Sequence, residues 1–372
     1  MTARTRTARL VLIALACALA PSAHAAPQST AQTAPPGTSK PGAAPKAGTA
    51  PATNGLQLPA GPRFNQPTLP NLTTPAEGPT PTPPPGADIA YGAYQSGFYI
   101  TAAQEALKRV KAGNDPAALT LLGELYARGF GVPFDPPRAA QYYRRAADEG
   151  DTNAMFALGM MALTGQGMAQ SDEAAARWFQ QAATAGHPGA AYNLGLLYMQ
   201  GRGVNSDIAT AARWFRPAAD AGVADAEYAL SVLLKEGNGV VPDKVTALRL
   251  LQGAALQDHV TAQVELAIAT FNGDGVLKNE AAAAALFRKA ALAGNAIAQN
   301  RYARLFSAGR GVPQDRTQAA AWHLLAKMRG LNDVYLDEVV AGLPPAERAK
   351  AEALARKWAA TTPDIKRAGD PN

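Results

Sequence analysis

The 372-residue sequence predicts an all-α fold, an α-solenoid built from stacked helical hairpins. Three observations predict it. A pattern of 36 residues runs six times without insertion, over 115–150, 151–186, 187–222, 223–258, 259–294 and 295–330. Glycine holds block positions 15 and 17 in every copy, from Gly129 and Gly131 to Gly309 and Gly311. Alanine holds positions 4, 25 and 32, as Ala190, Ala211 and Ala218 do in the third block. One hairpin of this size cannot bury both of its faces, whereas six in a stack can.

The chain opens with a segment read as a secretory signal, residues 1–25. Arg4, Arg6 and Arg9 supply positive charge, and Leu10 to Ala20 form an apolar run too short to span a bilayer. Ala23-His24-Ala25 is a small-x-small cleavage pattern. A lipoprotein signal ending at Cys17 is the competing reading, weakened by Ala14 three residues before that cysteine. Either way the address is the periplasm or the medium. No other stretch is apolar enough for a membrane span.

Residues 26–88 read as a disordered linker. Sixteen of the 29 prolines fall between 27 and 85, and only Lys40, Lys46, Arg63 and Glu77 are charged up to residue 86. Such a composition buries no core. It serves either as a spacer touching the cell wall or as a solubilising tail. Residues 98–114 then read as a capping helix, a half-repeat covering the first block.

Each block divides into two helices. Positions 2–13 carry apolar residues at helical spacing, as in Ala190, Leu194, Leu197 and Tyr198. The Gly-x-Gly that follows ends the helix, because a C-cap needs positive φ. Position 21 is Asp, Ser or Asn in every block (Asp135, Ser171, Asp207, Asp243, Asn279, Asp315) and reads as the N-cap of the second helix. Asp315 with Gln318 resembles a capping box. The second helix carries an aromatic pair, Tyr142-Tyr143, Trp178-Phe179 and Trp214-Phe215 in the first three blocks, to fill the gap between neighbours. The fixed alanines mark where helix axes approach closely.

Block 4 departs from this pattern. Leu250-Leu251 replace the aromatics, Ser231 stands where the first three blocks have Gly, and Asp258 replaces the terminal Gly. Pro217 and Gly253 share one position inside the second helices of blocks 3 and 4. A proline inside a helix costs about 3 kcal/mol. A change of superhelical curvature is therefore expected at blocks 3–4. Residues 331–361 read as two C-terminal capping helices with a wet outer face, and 362–372 as a disordered tail.

The period, the Gly-x-Gly-Val turn, the following Asp and the Ala-x-x-Trp-Phe run together resemble Sel1-like repeats. The copy from Gly201-Arg202-Gly203-Val204 through Asp207, Ala211, Trp214, Phe215, Ala218, Ala219 and Gly222 is the cleanest. The resemblance spans the six blocks, residues 115–330. It implies a right-handed superhelix like that of tetratricopeptide arrays and a role as an adaptor. It also implies an alternative, since some cysteine-rich secreted members are similar to penicillin-binding or β-lactamase-like proteins. Those carry a disulfide in each repeat, and this chain has one cysteine in all.

Little in the sequence offers catalysis or a cofactor. There is no phosphate loop, nucleophile elbow or His-Glu-x-x-His. His187 and His259 are both block position 1, two blocks apart, and share no metal; His323 takes an aromatic position. The net charge of +6 falls to +3 without the three leader arginines, too little and too dispersed for a nucleic-acid partner. The chain is therefore read as non-enzymatic, without cofactor or metal.

Positions 7, 10 and 14 of each first helix lie on one stripe, away from packing positions 4, 8, 11 and 12. The stripe varies while the framework repeats, as a recognition surface does. Its candidate contact residues are Glu124, Arg128, Asn193, Gln200, Glu236, Glu265, Arg301 and Arg304. Asn193 and Gln200 suit a peptide backbone; Arg301 and Arg304 suit carboxylates. Met155, Met160 and Met161 are read as repeat core. The function expected is a scaffold for a protein or peptide in the cell envelope. A wall-binding protein for muropeptides or β-lactams, with weak hydrolysis, and a spacer without ligand remain the alternatives.

Overall fold

A computed structural model describes residues 88–362, all within one unit of the chain, residues 64–365. The signal, all of the linker up to residue 87 and the tail beyond 362 lie outside the described residues. Among the described residues there are sixteen helices and no strand. Helices α1 (Ile89–Gln95) and α2 (Tyr99–Ala112) precede the repeats. The first helices of the six hairpins are α3 (Pro116–Arg128), α5 (Thr152–Thr164), α7 (Pro188–Gln200), α9 (Ala224–Glu236), α11 (Val260–Asn272) and α13 (Ala296–Ala308). The second helices are α4 (Pro136–Asp148), α6 (Asp172–Thr184), α8 (Ile208–Asp220), α10 (Lys244–Leu256), α12 (Glu280–Leu292) and α14 (Arg316–Met328). Helices α15 (Val334–Ala341) and α16 (Pro345–Thr361) follow. Each second helix packs on its own partner and, in the first five hairpins, on the first helix of the next, while α14 packs on α15 and α16, which makes the chain an α-solenoid.

Local chemistry sets these boundaries. The six position-21 side chains each accept a backbone N–H of their helix's first turn, for example Thr210 N to Asp207 at 3.1 Å and Ala174 N to Ser171 at 3.1 Å. At Asp315 half of the expected capping box forms: Gln318 N donates to Oδ1 at 2.9 Å, and no side-chain bond returns from Gln318. The first glycine of each turn is the left-handed C-cap, as Gly201 is at φ 67°.

In every turn but that of Gly275 the second glycine has a further reason, a close backbone approach from the preceding element. A Cβ on Gly203 (φ 66°) would sit 2.3 Å from the carbonyl carbon of Asp172, at the start of the preceding repeat's second helix. At Gly311 the clash would be with Glu280 O at 2.1 Å. Two hairpins approach backbone to backbone here, and only hydrogen fits.

A second pairing joins positions 9 and 29. Gly123, Gly159 and Gly195 lie under the rings of Tyr143, Phe179 and Phe215, where a Cβ would stand 2.5–2.6 Å from ring carbons. In the fourth repeat the ring becomes Leu251 and the glycine becomes Ser231, so the block-4 departure is a matched exchange of volume. Gly253 likewise leaves room for Glu227, whose carboxylate would be 2.6 Å from an added Cβ. Glu227 accepts from Gln257 Nε2 at 2.9 Å, and burial raises its pKa. Pro217 does not break α8, which stays one helix of 13 residues. Asp258 adopts φ 65° where other repeats use glycine, and its carboxylate pairs with Lys289.

The array's ends are closed by extra helices. Helix α1 was not apparent from sequence. Asp88, read as linker, is its N-cap and accepts from Tyr91 N at 3.0 Å. At the other end Trp322 of α14 stacks on Trp358 of α16, with centroids 4.3 Å apart. His323 is fully buried and contacts Asp337 of α15 through Nε2 at 2.9 Å.

Candidate interaction surface

The stripe on the first helices is less uniform than its sequence spacing implies. Leu121, Ala229 and Val232 are buried, at 8%, 4% and 7% exposure. Leu121 packs in a cluster with Ala90, Ala102 and Ala106 of α1 and α2, and Ala229 packs among the side chains of repeats 3 and 4. The stripe opens to solvent in repeats 5 and 6, where Ile268, Arg301 and Arg304 are exposed.

At the N-terminal end Glu124 is a junction. It pairs with Arg128 one turn on, and accepts the Tyr143 hydroxyl at 3.0 Å and the Tyr94 hydroxyl at 3.4 Å. Burial, then the Glu124 charge, raises the Tyr94 pKa to about 12. Asn193 donates to Gly189 O of its own helix at 2.8 Å. Gln200 is half-buried with no hydrogen bond among the described residues.

In repeats 4 and 5 the structure brings Glu236 and Glu265 together. Glu265 accepts from Tyr228 Oη at 2.8 Å and Lys235 Nζ at 3.4 Å. Burial raises the Glu236 pKa; the Lys235 charge offsets part of this and the Glu265 charge adds to it. In repeat 6 the two arginines diverge. Arg304 is held in a fork by Asp333, at 2.7 and 2.8 Å, and lies over the Tyr335 ring. Burial opposes the Asp333 charge, but bonds from Arg304 and Asn300 outweigh it and hold the carboxyl below its ordinary range. Arg301 is exposed and makes no hydrogen bond or ion pair among the described residues.

Two roles were not apparent from sequence. His187 and His259 are N-caps: their Nδ1 atoms accept from Ala190 N at 3.0 Å and Ala262 N at 3.1 Å. Each ring also stacks on an aromatic of the preceding repeat, His187 on Phe156 and His259 on Tyr228, both at 4.6 Å. Their block position, shared with Asp115, Asp151 and Asn295, was the available signal. The second is a set of arginine forks across turns, Arg202 to Asp172 at 2.6 and 2.8 Å and Arg310 to Glu280. Among the described residues no cluster of His, Cys, Asp or Glu is arranged to hold a metal, and no helix is long and apolar enough to cross a membrane.

A family model for the Sel1 repeat matches residues 116–151, 152–187, 188–223, 224–259, 260–295 and 296–331, each one residue later than the blocks defined above. The chain belongs to the Sel1 repeat family. A Sel1 repeat protein from Oxalobacter formigenes, known from its crystal structure, is similar at 34% identity and a TM-score of 0.56, over 68% of this chain and 73% of that one. A protective antigen of uropathogenic Escherichia coli with this repeat fold matches at 21% identity and 0.39, over 71% and 72%. An immunity protein from Pseudomonas aeruginosa matches at 18% identity and 0.27, over 75% and 85%. None of the curated proteins compared matches the chain. The Sel1 solenoid is typical of protein–protein interaction scaffolds and is generally non-catalytic.

Proposed function

We propose that this Sel1 protein is a non-enzymatic scaffold, exported to the periplasm, that engages a protein or peptide along the first-helix stripe of repeats 4–6. The observation that carries this reading is the charge order of that stretch. Glu236 and Glu265 form an acidic group whose charge Lys235 offsets in part, and the exposed, unpaired Arg301 follows one repeat on. An extended segment with a basic and then an acidic residue meets both ends with charge-assisted hydrogen bonds. The framework leaves these positions free to vary, because alanine and glycine at fixed sites set the hairpin geometry. Export rests on the arginine-led apolar segment and the Ala23-His24-Ala25 pattern.

Affinity purification of the tagged chain from envelope fractions tests this. Wild type is compared with Glu265→Lys and Arg301→Glu by quantitative mass spectrometry. One co-purifying protein, lost from both variants while their helical content is unchanged, is the expected result. The same proteins at the same levels in all three preparations would overturn it.

A further inference from the structure

Away from the stripe, a cleft of about 510 Å³ opens where α12, α13, α14 and α16 meet. Four aromatic side chains line it: Tyr302, Phe306, Trp322 and Trp358. Trp322 and Trp358 stack at 4.3 Å, and Tyr302 stands edge-on to Phe306 and Trp322 at 4.8 and 5.5 Å. Tyr302 and Trp322 are only 6% and 4% exposed. Neither the Tyr302 hydroxyl nor the Trp322 indole N–H has a hydrogen-bond partner among the described residues, and neither atom is sealed in the core. Arg288 and the Gln318 side chain add further unpaired donors. The cleft's one carboxylate, Asp315, caps α14 through Oδ1.

The cleft thus offers flat apolar rings flanked by several unpaired hydrogen-bond donors. A ligand with apolar rings and carbonyl acceptors meets both. A proline-rich strand is such a ligand: its prolines lack N–H, and its carbonyls are unpaired in the extended polyproline conformation. Aromatic-lined grooves bind such segments because little ordering entropy is lost. This chain carries one. Residues 79–85 read Pro-Thr-Pro-Thr-Pro-Pro-Pro and end three residues before Asp88, the cap of α1.

We propose that the cleft at the last repeat docks residues 79–85 of a second copy of this chain. The segment adjoins the first helix of the array, whereas the cleft is built by its last helices. Three residues reach about 10 Å, while the earlier hairpins of the array stand between α1 and the cleft, so a second copy is the occupant we assign. The contact is head to tail, of the kind that builds open assemblies.

Full-length protein with a photo-crosslinking residue in place of Gln318 tests the contact, with Gln180 on α6 as control. Equal amounts of ¹⁴N- and ¹⁵N-labelled chains are mixed before irradiation. Mixed-isotope dimers from position 318, mapped to residues 75–88, are expected, with none from position 180. The quadruple change of Pro81, Pro83, Pro84 and Pro85 to Ser should abolish capture and leave the thermal melt unchanged, because the segment precedes the described helices. Absence of dimers, crosslinks within one chain, or capture that survives the proline changes would overturn the proposal.

Discussion

At Gly203 an added Cβ would meet the Asp172 backbone at 2.3 Å, at Gly275 it would meet only Leu248 Cδ2 at 3.6 Å, and at Gly222 nothing within 4 Å. All three have positive φ, so alanine costs each about 1–2 kcal/mol in backbone strain. Gly203→Ala adds a backbone clash no rotamer relieves. We expect urea denaturation to rank Gly203→Ala at least about 2 kcal/mol below Gly275→Ala and Gly222→Ala. Equal losses at 203 and 275 would show that strain alone dictates the glycine. The left-handed requirement was legible in the sequence, since glycine recurs where a helix must stop. The close approach was not, because its other half lies about thirty residues upstream. His187 adds a pH dependence. Burial lowers its pKa from 6.5 and keeps the capping Nδ1 an acceptor. With the folded value below the unfolded one, its contribution is complete above pH 6.5 and is lost as pH falls through the folded value. His187→Asn should keep the cap and flatten the stability profile between pH 7 and 5; an unchanged slope would remove His187 as its source.

At the scale of the element, helix ends were legible because caps are local: Asp, Ser or Asn opens each second helix, and glycine closes each first helix. The small residue at position 9 needed the fold, since its reason is a ring twenty residues on. The exchange of Gly159 and Phe179 for Ser231 and Leu251 predicts coupling. Gly159→Ser alone overpacks against Phe179 and should cost about 1–3 kcal/mol. Adding Phe179→Leu should recover part of that, with a coupling of at least about 0.5 kcal/mol in a double-mutant cycle. Strict additivity would refute the pairing. Pro217 withholds an N–H inside α8, yet the helix continues through it. Pro217→Ala is expected to stabilise the array by about 1–3 kcal/mol, read as a raised urea midpoint at constant slope.

Across the whole molecule, stability in a stacked array is a sum of hairpins and their interfaces. Trp358→Ala removes the ring stacked on Trp322, so hydrogen exchange should quicken in α13 and α14 and stay unchanged in α3 and α4. Uniform loss of protection would mean that the array unfolds as one unit. The candidate stripe was half legible. Its residue types could be read at fixed spacing, but which were free could not. Asp333, which occupies Arg304, is the N-cap of α15, and the tyrosine that meets Glu124 from outside the repeats belongs to α1. Arg301, with no such neighbour, is left to solvent beyond the acidic pair. The most direct measurement is crosslinking in living cells, with a photo-reactive residue at position 268 or 301 and a control at the exposed position 244. A scaffold captures one envelope protein from the stripe and not from 244. Equal capture from all three positions, or capture of peptidoglycan fragments alone, would contradict it.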